Sequence, residues 1–139
     1  MKVDLATVCD YAVLDQYGKL SVLGIFSHIW VANFPTIHPR LHLVLHLKGK
    51  RTEIGEHVVR IRLLDEQDSE IIAGDGTVTF AEPPAGVLEI SAAAILVFDV
   101  PFASSGRYRF EVFLDGTLCT EIPITVAQGP SAPAPRARS

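Results

Sequence analysis

In the segment Leu41-His-Leu-Val-Leu-His-Leu-Lys, four leucines (Leu41, Leu43, Leu45 and Leu47) occupy every second position, with His42, His46 and Lys48 among the residues between them. A period of two places alternate side chains on opposite faces of an extended strand, whereas a helix would scatter these leucines around its circumference. The segment therefore reads as a strand that covers a core with one face. Tyr108, Phe110, Val112 and Leu114 repeat the pattern against Arg107, Arg109 and Glu111, and Val59, Ile61 and Leu63 do so against Arg60 and Arg62. No helical stripe at i, i+3, i+4, i+7 persists anywhere. Apolar runs at Val3 to Leu14, Leu20 to Ala32, Leu41 to Lys48, His57 to Leu64, Ile71 to Phe80, Leu88 to Val100, Tyr108 to Leu114 and Leu118 to Val126 predict about eight strands.

The connections carry turn chemistry. Asp115-Gly116, between two apolar runs, suits a two-residue type I′ hairpin, whose central residues need positive φ. Pro123 points to a sheet edge, because proline cannot donate to a ladder on both sides. Strands with one apolar face require a second sheet to face them, so the predicted fold is all-β, a two-sheet antiparallel β-sandwich. Its domain is expected over 1–126. Residues 127–139, rich in Pro, Ala and Ser, read as an extended, mobile tail.

With 139 residues the chain has room for one such domain. Twelve Lys and Arg face sixteen Asp and Glu, and two of those cations, Arg136 and Arg138, lie in the tail, leaving ten against sixteen, or −6, in the body. Without a basic block to neutralise phosphates, nucleic acid is not expected as a partner. No apolar stretch of about 18 residues and no signal-peptide pattern occur, which points away from a membrane and toward the cytoplasm. Cys9 and Cys119 belong to no CxxC or Cys/His cluster and read as buried free thiols of a reducing compartment, with a bridge between a first and a last strand as the alternative.

Lys2-Val-Asp-Leu-Ala, Asp15-x-x-Gly-Lys-Leu-Ser-Val-Leu-Gly-Ile-Phe-x-x-Ile-Trp, Asn33-Phe-Pro-x-x-His-Pro, Gly106-x-Tyr-x-Phe-Glu-Val-x-x-Asp-Gly and Glu121-Ile-Pro-Ile-Thr-Val form an ordered series. From about residue 2 to 126 this series resembles a family of small bacterial proteins known as a domain of unknown function, the DUF6941 type. The resemblance implies a bacterial source and a shared fold, and brings no activity, ligand or catalytic residue. Gly106-x-Tyr-x-Phe-x-Val before a hairpin also resembles the penultimate strand of immunoglobulin-like sandwiches, which favours that topology.

The chemistry-bearing residues give few sites. No Gly-x-Ser-x-Gly elbow accompanies Ser104 and Ser105. His42 and His46 share a strand face about 13 Å apart, too far to ligate one ion. Asp65-Glu-Gln-Asp-Ser-Glu70 lacks the Asp-x-Asp-x-Asp-Gly order of a calcium loop and reads as a solvated turn. No cofactor or metal is expected. The most unusual segment, Phe26 to Pro39, holds the chain's only tryptophan, and both faces of the strand before the prolines are apolar. Trp30 suits either burial between sheets or a contact surface. The candidate interaction surface is His28, Trp30, Phe34, Pro35 and His38. Leu88 to Val100, with small Ala92 to Ala94 between two apolar faces, is a second candidate for self-association.

These features favour a non-catalytic protein-interaction or scaffold module, with a protein partner or a second copy bound. A small-ligand or carbohydrate-binding sandwich comes next and an enzyme last.

Overall fold

The computed structural model describes residues 1–129. Nine strands follow one another as β1 (Lys2–Leu14), β2 (Leu20–Ile25), β3 (His28–Val31), β4 (Thr36–Lys50), β5 (Gly55–Leu64), β6 (Glu70–Phe80), β7 (Glu89–Phe102), β8 (Gly106–Leu114) and β9 (Thr117–Gln128), with one 3-10 turn at Arg51–Glu53. They form two sheets, β2-β1-β4-β7 and β3-β9-β8-β5-β6. The protein is an all-β sandwich. Strands β1-β4-β7 of one sheet face β9-β8-β5-β6 of the other, and the Tyr108 hydroxyl donates to the Ser104 carbonyl at the start of β8.

Alternation fixes the core. Leu41, Leu43, Leu45 and Leu47 of the first sheet meet Val59, Ile61, Leu63, Phe110, Val112 and Leu114 of the second, all fully or almost fully buried. On β6 the inward positions include Gly74, where a Cβ would stand 2.9 Å from the Phe98 ring of β7. The glycine lets that ring enter the core beside Phe110, with ring centroids 6.3 Å apart. Asp115 (φ 49°) and Gly116 (φ 85°) form the expected tight hairpin between β8 and β9.

Three expectations are corrected. The run Leu20 to Ala32 is two strands in different sheets, because the chain leaves β1 at Phe26-Ser27 and crosses to run parallel to β9. The sandwich is accordingly not wholly antiparallel. β9 also continues two residues past the expected boundary, since Ala127 and Gln128 pair with Trp30 and Val31 of β3; the rest of the predicted tail, 130–139, lies outside the described residues. Finally, the outer face of β4 is not open. Beyond the Cys9–His42 pair β1 leaves β4, and the β1–β2 hairpin lays Ala12, Leu20 and Val22 against Cys9, Val44 and Ile95 on the face turned away from the main core.

That hairpin explains two apolar faces on one strand. It buries His42, 4% exposed beneath Tyr11 with its Nδ1 on the Arg40 carbonyl, where the sequence suggested a solvent face. It also covers Ile95, so that much of the second self-association candidate is occupied by the chain itself, while Val97 stays half-exposed. Pro123 does not lie on an edge strand, since β9 runs between β3 and β8, but its position is open on one side because β3 pairs only with Thr125 to Gln128 and the Thr125 amide, which points to the same side as position 123, donates to Ser27.

Candidate functional site

Several chemistry-bearing side chains hold turns. Asp15 Oδ1 accepts the amides of Tyr17 and Lys19, and Asp65 Oδ1 accepts those of Gln67 and Ser69, so the densest acidic segment begins as an Asp-anchored turn. Its other acids are engaged as well: Glu66 accepts the Arg107 amide, Asp68 binds Arg109 at 2.6 Å and Glu70 binds Arg62 at 2.8 Å. Arg62 and Arg109 also reach Glu111, and Arg60 reaches Asp75, which makes the outer face of the second sheet a ladder of mutually answered charges.

His42, His46 and His57 are placed separately. His46 Nδ1 meets Asp4 at 3.0 Å, while His57 Nδ1 meets Asp115 Oδ2 at 2.6 Å and its Nε2 meets the Glu53 carbonyl at 2.7 Å. Two acceptors on one ring favour its protonated form: Asp115 first, then the Glu53 carbonyl, raises the His57 pKa, and His57 in turn lowers that of Asp115. His42 and His46 lie in the first sheet and His57 in the second. Among the described residues no group of three or more His, Cys, Asp or Glu is placed to hold a metal ion.

Cys9 and Cys119 are both free. Cys9 is sealed under the β1–β2 hairpin, and burial raises its pKa. Cys119 is exposed, against expectation. It shares the outward parity of Glu121 and Pro123, opposite to the buried Ile122, Ile124 and Val126, and with Val112 paired to Thr120 and Phe113 to Leu118 it is also the extra residue of a β-bulge.

A different environment surrounds β3. This four-residue strand pairs with β9 alone and forms an edge of the second sheet. Ile29 and Val31 point into the sandwich, while His28 and Trp30 point outward with stacked rings 6.4 Å apart. Trp30 is 48% exposed and rests its ring on Gly129. Beside β3 runs a groove of about 380 Å³, lined by His28, Ile29, Trp30 and Val31 from the strand and by Asp10, Phe26, Ile37 and His38 from the chain around the first sheet. Ile37 is 64% exposed. His38 packs its ring 5.6 Å from that of Phe26, and burial lowers its pKa, partly opposed by nearby Asp10. The ring is thereby held neutral. The lining contains one carboxylate, Asp10, and no Lys or Arg.

Of the five residues expected to form an interaction surface, His28, Trp30 and His38 line this groove. Phe34 and Pro35 do not. Phe34 packs against the main core from the β3–β4 connection, and Pro35 is exposed after a cis peptide. Asp10, Phe26 and Ile37 were missed, because they reach the groove only through the crossing at Phe26-Ser27 and the bulge at Arg40 (φ 52°), neither of which periodicity reveals.

A family model described as a family of unknown function, DUF6941, matches residues 4–127. The chain belongs to that family. The match runs from Asp4 in β1 to Ala127 in β9 and so includes every residue that lines the groove. No curated protein matches the chain. Membership of DUF6941 thus fixes kinship without supplying an activity.

Proposed function

We propose that this DUF6941 domain is a non-catalytic, cytoplasmic protein-interaction module that docks a protein partner at the β3 edge and its groove. One observation carries the reading: the only tryptophan stands half-exposed on an unpaired sheet edge, beside the largely exposed Ile37 and a groove of about 380 Å³. Unpaired edges invite another strand, and Trp is the residue type most enriched among binding hot spots. The engagement of Asp15, Asp65 and the His57–Asp115 pair in turns, and the sealing of Cys9, favour a binding role over catalysis. The two free thiols favour a reducing, cytoplasmic location, and among the described residues no helix is long and apolar enough to cross a membrane.

A photo-crosslinking amino acid at position 37, introduced in the native host, tests the docking surface. Discrete adducts from position 37 and none from exposed Thr77 on β6 are expected. Equal labelling from both positions, or none from 37, would refute it.

A second reading rests on a cavity of about 370 Å³ between the tip of the β1–β2 hairpin and the ends of β4, β6 and β7, where Tyr17, His46, Thr79 and Ser91 offer polar groups. Its volume suits a small sugar. Thermal-shift titration with mono- and disaccharides against wild type and Tyr17→Ala would reveal such binding, and no shift for any sugar would remove this reading.

A further inference from the structure

Building on β3 as the docking edge, we infer that its occupant is an extended segment of another protein that adds as a strand and carries a Lys or Arg for Asp10 among alternating apolar residues. The backbone dictates the extended form. The Ser27 and Val31 carbonyls face β9, where they accept the amides of Thr125 and Gly129. Because backbone groups alternate sides along a strand, the amides and carbonyls of His28 and Trp30 face away from β9, toward the open edge. A partner must answer that row, and a strand does so with its own main chain.

Side-chain chemistry then selects the sequence. An added strand would direct alternate side chains toward the groove, where Phe26, Ile37 and the neutral His38 favour apolar groups. Asp10 is the one carboxylate of that lining and has no Lys or Arg beside it there, so a cation from the partner completes it. A second copy fits less well, since self-pairing of β3 brings the same acidic lining against itself with no Lys or Arg from either groove.

The probe is a phage-displayed library of random dodecapeptides selected on the full chain, with enriched peptides synthesised and titrated by Trp30 fluorescence or calorimetry. Enrichment of Lys or Arg flanked by alternating apolar residues is expected. Asp10→Asn should weaken binding by about fivefold, and Trp30→Ala, followed by calorimetry, by about tenfold or more. N-methylation of the peptide should abolish binding at alternate amides only. His28→Pro, which removes one outward N–H and leaves the β9 ladder intact, should weaken binding without altering the denaturation midpoint.

Binders that need Trp30 but ignore Asp10 and tolerate N-methylation everywhere would overturn this inference while leaving the docking edge in place. Binders indifferent to Trp30, or none at all, would sink both. A dimer dispersed by Trp30→Ala in sedimentation would make a second copy the occupant, and a tenfold gain in peptide affinity for a chain ending at Gly129 would make residues 130–139 the occupant. Either result overturns the assignment to another protein.

Discussion

Ending the chain at Val126 instead of Gly129 should destabilise the domain, although only three small or polar residues are removed. Ala127 and Gln128 provide two of the four registered pairs that hold β3. The Gly129 amide donates to the Val31 carbonyl and Gln128 Nε2 donates to the Ala32 carbonyl, each at 2.9 Å. Together with the ladder bonds of Ala127, about four hydrogen bonds disappear. At a half-exposed edge each contributes near the lower end of the usual 0.5 to 1.5 kcal/mol, which gives a loss of about 2 kcal/mol. For a domain of this size the thermal midpoint should fall by roughly 5 to 12 °C. Trp30 would also lose Gly129 from under its ring, so its emission should shift to the red. Differential scanning calorimetry and fluorescence of the two chains provide the assay. Equal midpoints and identical Trp30 emission would show that β9 does not hold β3 as described, and the docking edge would lose its support.

Three further outcomes follow from the packing. Gly74→Ala should destabilise by about 1 to 3 kcal/mol in denaturant, because its Cβ meets the Phe98 ring at 2.9 Å, whereas Gly76→Ala, with Leu96 at 3.5 Å, should be close to neutral; equal effects would contradict the interlock. The His57–Asp115 pair should shape the pH profile. Folding raises the His57 pKa, so its share is fully present below the ordinary value of 6.5 and fades as pH climbs through the raised one. Folding lowers that of Asp115, whose share is present above the ordinary 3.8 and fades as pH falls through the depressed value. The stability gap between wild type and Asp115→Asn should therefore be widest between about pH 4 and 6.5 and narrower at pH 9; a gap that grows with pH would refute the assignment. A thiol reagent should modify Cys119 rapidly in the native protein and Cys9 only on unfolding. Two rapid equivalents would mean that the hairpin does not seal Cys9.

The parts of the fold legible in the sequence were those governed by local rules. Period-two alternation located the core faces of β4, β5 and β8, and Asp115-Gly116 announced its hairpin because few residues tolerate positive φ. Alternation could not show that the outer face of β4 around His42 and Val44, and that of β7 at Ile95, are covered by the chain's own hairpin, since a face reads the same whether a neighbour, a partner or solvent covers it. Nor could it show the crossing at Phe26-Ser27, which is invisible in a run that stays apolar from Leu20 to Ala32 apart from a few small or polar residues. The candidate site was half legible for the same reason. His28, Trp30 and His38 stood out by residue type, whereas Asp10 and Ile37 join them only through tertiary placement, and Phe34 was drawn inward by the core.

The central claim is that β3 offers the backbone of His28 and Trp30 to an added strand, and residue-resolved amide hydrogen exchange tests it most directly. In the free protein the amides of Ile29 and Val31, which face β9, should exchange slowly and those of His28 and Trp30 fast. With a saturating selected peptide, His28 and Trp30 should become protected to the level of their neighbours. Unchanged exchange at both residues on saturation, or equal protection of all four amides in the free protein, would contradict the account.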